Sequence, residues 1–280
     1  MESVALFKII RPLNACMAGL AGVLAYVIAS GTIIPAVLII FVVIVLITAA
    51  GNVINDYHDA AIDAINRPDR PIPSGTISKR EALIYALLLF LVSNGIAIVY
   101  APVPLIIIAM VNTILLWSYA SYLKVMPLVG NLTVAYLSAS IFLFGGALEG
   151  LPGVIENLPV AGATFFVMLA RELIKDAEDM PGDTAAGART LPILYGIRPT
   201  ILIAVISAWV GVGITLLLYV KWGWYYLAGI IPVNLVILIG AALTLKCTTS
   251  EEIRKTRSSI FIKAGMFASL LIFLLSAIFL

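Results

Sequence analysis

The chain has 280 residues, of which 62% are hydrophobic and only 11% are charged. Soluble globular domains carry about 25% charged residues, so this composition excludes a soluble domain and indicates an integral membrane protein. The formal net charge is +2, and we expect no nucleic-acid partner. Cys16 and Cys247 have no CxxC partner and are interpreted as small hydrophobic residues.

Apolar runs of membrane-spanning length recur along the whole chain. A crossing helix needs about 20 apolar residues, and breakers and charges separate nine such runs. They lie at roughly 11–30, 33–57, 81–100, 103–123, 127–148, 158–177, 199–220, 222–245 and 259–279. The Ser78-x-x-Glu81 pattern of a capping box predicts the start of the third run. We therefore predict an all-α fold, a polytopic membrane bundle of nine transmembrane helices around a cytoplasmic-side cavity, forming a single domain over residues 1–280.

The basic residues are distributed very unevenly between the two sides of this predicted bundle. Of the 17 Lys and Arg residues, all but Lys221 fall in the N-terminal segment or in the loops after spans 2, 4, 6 and 8. Lys and Arg mark the cytoplasmic side of a membrane protein. We therefore expect a multi-pass protein of the cell membrane, with its N-terminus and its active site on the cytoplasmic side.

The second span runs into the sequence NDYHDAAID at residues 55–63. On a helix, Asp56, Asp59 and Asp63 lie within an arc of about 60°. Asn52, one turn earlier, falls on the same stripe, and Asn55 borders it, whereas the intervening histidine points away. The pattern predicts a row of oxygen ligands along one face of a helix.

A second row follows the sixth span, in ELIKDAEDMPGD at residues 172–183. Asp176, Asp179 and Asp183 repeat the i, i+3, i+7 spacing. Four spans separate the two rows, an even number, so both rows should emerge on the same side and face one cytoplasmic-side cavity. Pro181-Gly182 predicts that the helix ends before Asp183, which would then turn back from a loop.

Carboxylates that lie close together repel one another and need a cation. Hard oxygen ligands suit Mg²⁺, which typically binds one or two carboxylates together with phosphate oxygens and water. Nearby basic residues would take up the remaining charge of a diphosphate, and the apolar bundle would hold a lipid tail; these residues are Arg67, Arg70, Lys124, Lys175 and Arg189. Solvated loop charge remains open as an alternative. So does an ion-coupled transporter, whose site usually lies near the midplane.

Both rows resemble the two aspartate-rich motifs of the UbiA superfamily of intramembrane prenyltransferases. The segment NDYHDAAID with NRPDRPIPSG resembles the first motif, and KDAEDMPGDTAAGARTLP resembles the second. Arg11-Pro12 and SYASYLKVMPLVGN at 118–131 also fit the family pattern. The resemblance implies Mg²⁺-dependent transfer of a prenyl group from a prenyl diphosphate to an acceptor, within a membrane lipid environment.

The resemblance also implies residue roles. The aspartates of both rows would be catalytic and would bind metal together with two amides: Asn52, Asn55, Asp56, Asp59, Asp63, Asp176, Asp179 and Asp183. Substrate contacts would come from Arg11, Asn14, Asn52, Asn55, Arg67, Tyr122, Lys124, Asn131, Lys175 and Arg189.

Within the superfamily, RPLNACMAG, GNVINDYHD and RELIKDAEDMPGD are most similar to the archaeal ether-lipid branch. That similarity implies geranylgeranyl transfer from geranylgeranyl diphosphate to the free hydroxyl of a lipid-phosphate acceptor, geranylgeranylglyceryl phosphate. The product would carry the second ether bond of archaeal membrane lipids. An aromatic acceptor, such as a quinone or haem precursor, remains the alternative because no residue spacing identifies the acceptor. The oligomeric state stays open.

Overall fold

The computed structural model describes residues 2–185 and 187–280, and within these ranges the secondary structure is helical throughout, with no β-strand. The all-α prediction is therefore confirmed for the described chain. Its α-helices are α1 (Glu2–Ile9), α2 (Pro12–Ser30), α3 (Val37–Asn66), α4 (Lys79–Tyr100), α5 (Val103–Ser121), α6 (Val129–Gly146), α7 (Gly150–Ala185), α8 (Leu191–Tyr195), α9 (Ile197–Leu217), α10 (Tyr219–Ala242), α11 (Ser250–Thr256) and α12 (Ser258–Phe279).

Eight helical stretches in the described residues are long and apolar enough to cross a membrane. Seven of them correspond one to one with predicted spans. The eighth, Val129–Ala185, contains 57 residues and includes both α6 and α7. The short 3₁₀ turn Ala147–Glu149 separates these two helices, and Gly150 follows it with a φ of 72°. A residue with a side chain adopts that conformation only at a cost, so glycine favours the break here.

The chain divides into two compact units, and each has its own core. The first contains the chain up to Tyr122 together with Ser140–Glu156, and the second contains Leu123–Ala139 and Asn157–Leu280. Because lipid tails are as apolar as leucine, close van der Waals packing holds such helices together. The buried residues of the first unit include Tyr26, Ile40, Ile54, Phe90 and Phe144. Those of the second include Leu173, Ile174, Ile201, Ile237 and Ile262.

Small residues allow backbones to touch within the first unit. A Cβ added to Gly145 on α6 would lie 2.1 Å from the carbonyl oxygen of Gly22 on α2. Real Cβ atoms do not approach an oxygen so closely, so a glycine is required at this contact. The contact fixes the end of α6 against the first long helix of the chain.

Helix α3 continues well beyond the predicted span end at residue 57. It contains 30 residues and ends at Asn66, and the backbone N–H of the following residue, Arg67, donates to the Asp63 carbonyl at 2.8 Å. The apolar sequence ends where the acidic residues begin, but the helical hydrogen bonds continue through them. A helix end predicted from hydropathy alone is therefore too early in the chain. Asp56, Asp59 and Asp63 therefore share one continuous helix.

The predicted helix break at Pro181-Gly182 is wrong. Helix α7 contains 36 residues and passes through Pro181 to Ala185. A proline in the last turns removes one backbone hydrogen bond, to the carbonyl four residues earlier, and its fixed φ is already helical. Thr184 Oγ1 donates to the Met180 carbonyl at 2.7 Å, which adds a bond at this point. Asp183 therefore lies on the same helix as Asp176, and it does not turn back from a loop.

The predicted capping box at the start of α4 is confirmed. Glu81 N–H donates to Ser78 Oγ at 3.2 Å, and Ser78 N–H donates to Glu81 Oε2 at 2.7 Å. These two bonds satisfy backbone donors that the first helical turn leaves unpaired. They define where the loop 67–78 ends, and this loop carries a residue of the site described next.

Candidate active site

The first aspartate row comprises Asn52, Asn55, Asp56, Asp59 and Asp63, all on α3. Only 4% of Asp56 and 6% of Asp63 is exposed, and a buried carboxylate needs a nearby positive charge. Two arginines provide it.

Asp56 receives a charge-assisted bond from each of these arginines, on the same oxygen. Arg11 Nη2 lies 2.6 Å from Asp56 Oδ1, and Arg70 Nη1 lies 3.2 Å from it. The same Nη1 atom of Arg70 also donates to Asp63 Oδ2. Arg70 thus bridges two members of the row that lie seven residues apart.

The position of Arg11 follows from the kink between α1 and α2. Arg11 has left-handed backbone angles (φ 50°, ψ 66°) and precedes Pro12, which opens α2. A left-handed conformation costs a non-glycine residue roughly 1–2 kcal/mol, so other contacts must maintain it. Asn52 Nδ2 donates to the Ile10 carbonyl at 3.0 Å, which ties the kink to the first row and directs Arg11 toward Asp56.

Arg70 is held by the compact loop 67–78. Its N–H donates to the Arg67 carbonyl at 3.0 Å, and its carbonyl accepts from Ser74 N–H at 2.9 Å. Ile77 N–H donates to the Pro71 carbonyl at 3.1 Å, and Ile77 is buried in the core. The loop therefore fixes the Arg70 backbone while the side chain reaches into the row.

The remaining members of the first row behave as the helical spacing predicts. Asn55 Nδ2 donates to Asp59 Oδ2 at 2.8 Å across one turn. His58 points away from the row, since its Nε2 lies 3.2 Å from Ser121 Oγ on α5 and its ring packs edge-on to Trp117.

The second aspartate row comprises Asp176, Asp179 and Asp183 on α7. Asn131 Nδ2 on α6 donates to Asp176 Oδ2 at 2.8 Å, so the predicted site residue Asn131 contacts this row directly. Lys175 is exposed and interacts electrostatically with Asp176 and Asp183.

Two hydrogen bonds to Glu178 hold the part of α7 that carries the second row, and the sequence did not predict them. Arg254 Nη2 donates to the backbone carbonyl of Glu178 at 2.9 Å, and Ser259 Oγ donates to Glu178 Oε2 at 2.8 Å. The segment of Arg254 carries a recognisable signal, because Thr249 and Glu252 form a capping box that opens α11. The basic loop at 246–263 thus contacts the helix that carries the row, which a general rule on positive loops does not predict.

Several predicted substrate residues lie outside both networks. No side-chain hydrogen bond or ion pair found between described residues connects them to either row, and each side chain is exposed: Asn14, Arg67, Tyr122 and Arg189. Lys124 lies in the 3₁₀ turn Leu123–Val125 between α5 and α6. Their roles toward substrate stay predictions.

The chemistry of the two rows fits a hard divalent cation. Every donor is a carboxylate or amide oxygen, the type that Mg²⁺ prefers. Within residues 2–185 and 187–280, no three His, Cys, Asp or Glu side chains come close enough to hold a metal ion. In the first row, the arginine pairs and the Asn55–Asp59 bond engage the carboxylates instead.

A cavity of about 570 Å³ opens in the second unit, beside the end of the second row. Met180, Arg198, Lys246 and Cys247 contribute to its lining. Burial, together with the nearby Glu252 carboxylate, raises the pKa of the Cys247 thiol, which disfavours the reactive thiolate form of this lining residue. The cavity combines apolar walls with two cations, which suits a lipid that carries an anionic head.

Residues 15–275 match the model of the UbiA prenyltransferase family. The chain belongs to this family. Membership confirms the resemblance carried by the two aspartate motifs, and it favours a membrane prenyltransferase over an ion-coupled transporter.

Known members of the UbiA family resemble this chain over its whole length. It is 61% identical to the digeranylgeranylglyceryl phosphate synthase of Methanospirillum hungatei, with 100% of both chains covered. A solved structure of a digeranylgeranylglyceryl phosphate synthase in membranes has a TM-score of 0.87 and 33% identity, and covers 100% of this chain and 99% of its own. A UbiA homologue from Archaeoglobus fulgidus bound to DMAPP and Mg²⁺ shares the fold, with a TM-score of 0.70, 17% identity, and coverage of 94% and 98%.

Proposed function

We propose that this protein acts as a digeranylgeranylglyceryl phosphate synthase. It transfers a geranylgeranyl group from geranylgeranyl diphosphate to the free hydroxyl of geranylgeranylglyceryl phosphate, forming the second ether bond of archaeal membrane lipids. The observation that carries this proposal is the 61% identity, over all 280 residues, to the enzyme of that name. The two aspartate rows of the chain supply the chemistry that the reaction needs.

We infer that the chain crosses the membrane nine times and that both rows open to a cavity on the cytoplasmic side. At 1.5 Å per residue, the 57 residues of Val129–Ala185 would extend over roughly 85 Å as one helix, against a hydrocarbon core of about 30 Å. The turn at Ala147–Gly150 divides this length into two crossings. The distribution of Lys and Arg supports a cytoplasmic N-terminus.

Each row is proposed to hold one Mg²⁺ ion. In the first row the ligands are the oxygens of Asp56, Asp59 and Asp63, with Asn52 and Asn55 beside them. In the second they are the oxygens of Asp176, Asp179 and Asp183. When bound, such ions neutralise the charge that develops on a diphosphate leaving group.

The side chains around the rows have separate proposed tasks. Asn131 orients Asp176 through its hydrogen bond, so that one carboxylate oxygen is directed by the protein. Arg67, Lys124 and Lys175 bind the diphosphate oxygens, because the diphosphate carries more negative charge than the metals neutralise. The apolar helices exclude water from the allylic carbon, which protects a carbocation from hydrolysis.

The proposed reaction breaks one carbon–oxygen bond and forms another. The bond between C1 of the geranylgeranyl group and the diphosphate oxygen breaks, and its electron pair leaves with the diphosphate. The acceptor hydroxyl oxygen forms the new bond to C1 and releases its proton to the diphosphate or to water. A carbocation electrophile needs no strong base, and the sequence suggests none.

The acceptor's phosphate is assigned to the cavity beside the second row. Arg198 and Lys246 line this cavity, whereas Arg11 and Arg70 are engaged by the first row. An aromatic acid such as 4-hydroxybenzoate carries a single negative charge and would need fewer such cations.

The function is tested with membranes that contain the protein, Mg²⁺ and radiolabelled geranylgeranyl diphosphate. Geranylgeranylglyceryl phosphate and 4-hydroxybenzoate are offered separately, and the products are identified by mass. We expect the ether lipid phosphate to be prenylated and the aromatic acid to remain unchanged. Prenylation of the aromatic acid alone would overturn the acceptor assignment, and no product from either would overturn the proposed function.

A further inference from the structure

Arg70 occupies the position in the first aspartate row where a cation is expected. Asp56 and Asp63 lie two helical turns apart, or roughly 10 Å along the axis of α3. One guanidinium nitrogen contacts both, at 3.2 Å from Asp56 Oδ1 and in direct contact with Asp63 Oδ2. The carboxylates on either side of Asp59 therefore converge on a single positive group supplied by the chain itself.

The charges of the four paired groups balance, and Asp59 leaves the whole first row with one net negative charge. Asp56 and Asp63 contribute two negative charges, and Arg11 and Arg70 contribute two positive charges, all at short distances. A divalent ion that entered the row without a counter-anion would add two positive charges beside both guanidinium groups. Because these groups lie in a partly buried site, that repulsion is only weakly screened.

The two guanidinium groups cannot relieve this repulsion by losing a proton. Arginine stays protonated in proteins, so it must move away from the carboxylates or stay and oppose the metal. The Arg70 backbone is held by the bonds to Arg67 and Ser74, which leaves side-chain rotation as the available movement. A diphosphate offers the guanidinium a new partner, since arginine binds phosphate oxygens through paired hydrogen bonds.

We propose that Arg70, assisted by Arg11, is an internal counter-ion that keeps the first row closed to metal until a diphosphate arrives. The guanidinium groups then exchange carboxylate oxygens for phosphate oxygens, and metal and diphosphate enter the site together. Free Mg²⁺ alone binds weakly, so the row does not hold an idle metal ion. This inference rests on the proposed function, which places a metal in the first row.

The experiment measures metal binding directly, with Mn²⁺ as a probe for Mg²⁺. Purified full-length protein in detergent carries Asp176→Asn, which confines the measurement to the first row. Equilibrium dialysis gives the excess of Mn²⁺ on the protein side, with and without inorganic pyrophosphate, and protein-free micelles serve as the blank. The Arg70→Gln variant is compared with Arg80→Gln, which removes an exposed arginine at the start of α4.

We expect the parent protein to bind Mn²⁺ weakly alone and at least about tenfold more tightly when pyrophosphate is present. Arg70→Gln should bind Mn²⁺ alone about tenfold more tightly than the parent and should lose most of the pyrophosphate effect. Arg70→Lys keeps the charge and should resemble the parent, as should Arg80→Gln.

Thermal unfolding separates these effects from misfolding. Arg70→Gln should unfold at a lower temperature than the parent in EDTA, because Asp56 and Asp63 lose a counter-ion, and Mn²⁺ should restore much of the difference. If Arg70→Gln does not fold, Arg11→Gln is measured instead, with the same direction of change expected.

Two results would overturn the inference, and they differ in meaning. If folded Arg70→Gln binds Mn²⁺ with the affinity of the parent, while the parent still binds it more tightly with pyrophosphate, the counter-ion role fails and the metal site stands. If neither protein retains Mn²⁺ under any condition, the metal site itself fails, and the proposed function fails with it.

Discussion

Asn131 on α6 directs one oxygen of Asp176 on α7 through a hydrogen bond of 2.8 Å. Asn131 is buried, with 9% of its surface exposed, so water does not replace this donor easily. The bond leaves the other oxygen of Asp176 available to a cation. A side chain 45 residues away in the sequence thus sets the orientation of the second row.

The Asn131→Ala variant should lower turnover by about 10- to 100-fold, the usual effect of removing a partner that orients a metal ligand. The apparent Mg²⁺ requirement should rise as well, because Asp176 loses its fixed rotamer. Initial rates at varied Mg²⁺ measure both effects. Thr133→Ala is the matched control, since Thr133 is also buried on α6 but donates within its own helix, to the Val129 carbonyl. Equal losses in both variants would contradict the prediction.

Both aspartate rows should be necessary for activity. Asp56→Asn or Asp176→Asn should each reduce turnover by at least about 100-fold, and chelation of divalent metals should abolish it. Asparagine is a better replacement than alanine at position 56, because it keeps an oxygen that can accept from Arg11 and Arg70. Alanine would leave both arginines without this partner, and breaking a buried ion pair destabilises a protein by about 3–5 kcal/mol. Asp69→Asn provides the control, since this aspartate is exposed and pairs only loosely with Lys8, at 3.9 Å. Near-normal turnover in either row variant would count decisively against a shared role.

Lys124→Ala should weaken binding of the prenyl diphosphate. The expected signature is a higher KM for the donor with an unchanged KM for the acceptor, because a diphosphate loses one cationic contact. Lys255→Ala is the comparison, as this lysine is exposed and pairs with Glu251 on the surface of α11. If both kinetic constants of Lys124→Ala match the wild type, Lys124 contributes only to membrane orientation.

Arg254→Ala should disturb the second row without touching substrate. Loss of the bond to the Glu178 carbonyl frees the part of α7 between Asp176 and Asp179, so turnover should fall several-fold and the Mg²⁺ requirement should rise. Arg254→Lys retains a donor and should recover part of the loss. If activity falls by the same factor at every Mg²⁺ concentration, the variant has a general folding defect instead.

Arg198→Gln should raise the KM for the lipid-phosphate acceptor by about tenfold or more, the effect of losing a charged hydrogen bond, while the KM for the donor stays constant. Separate titrations of the two substrates measure these constants. Arg80→Gln again serves as the control. If only the KM for the donor changed, the cavity beside α7 would bind the prenyl diphosphate and not the acceptor.

The helical spacing of the aspartates was sufficient to predict both rows, because a period of 3.6 residues determines which side chains share a face. It could not predict the arginine pairs. Arg70 lies 14 residues and Arg11 lies 45 residues from Asp56, and only the folded loop and the kink before α2 bring them there. The end of α7 was predicted wrongly because a proline signals a break most reliably inside a helix, whereas Pro181 lies in its last turns.

The seat of Gly145 against the Gly22 carbonyl has a consequence for how the protein is made. The first compact unit includes Ser140–Glu156, so the ribosome must synthesise these residues before α2 acquires its final neighbour. A nascent chain that stops at Tyr122 contains the entire first row and the α3 side chains against which Gly19 and Gly22 of α2 pack, but it lacks Gly145. The close contact between α2 and α6 therefore forms only after the aspartates of the first row have been synthesised.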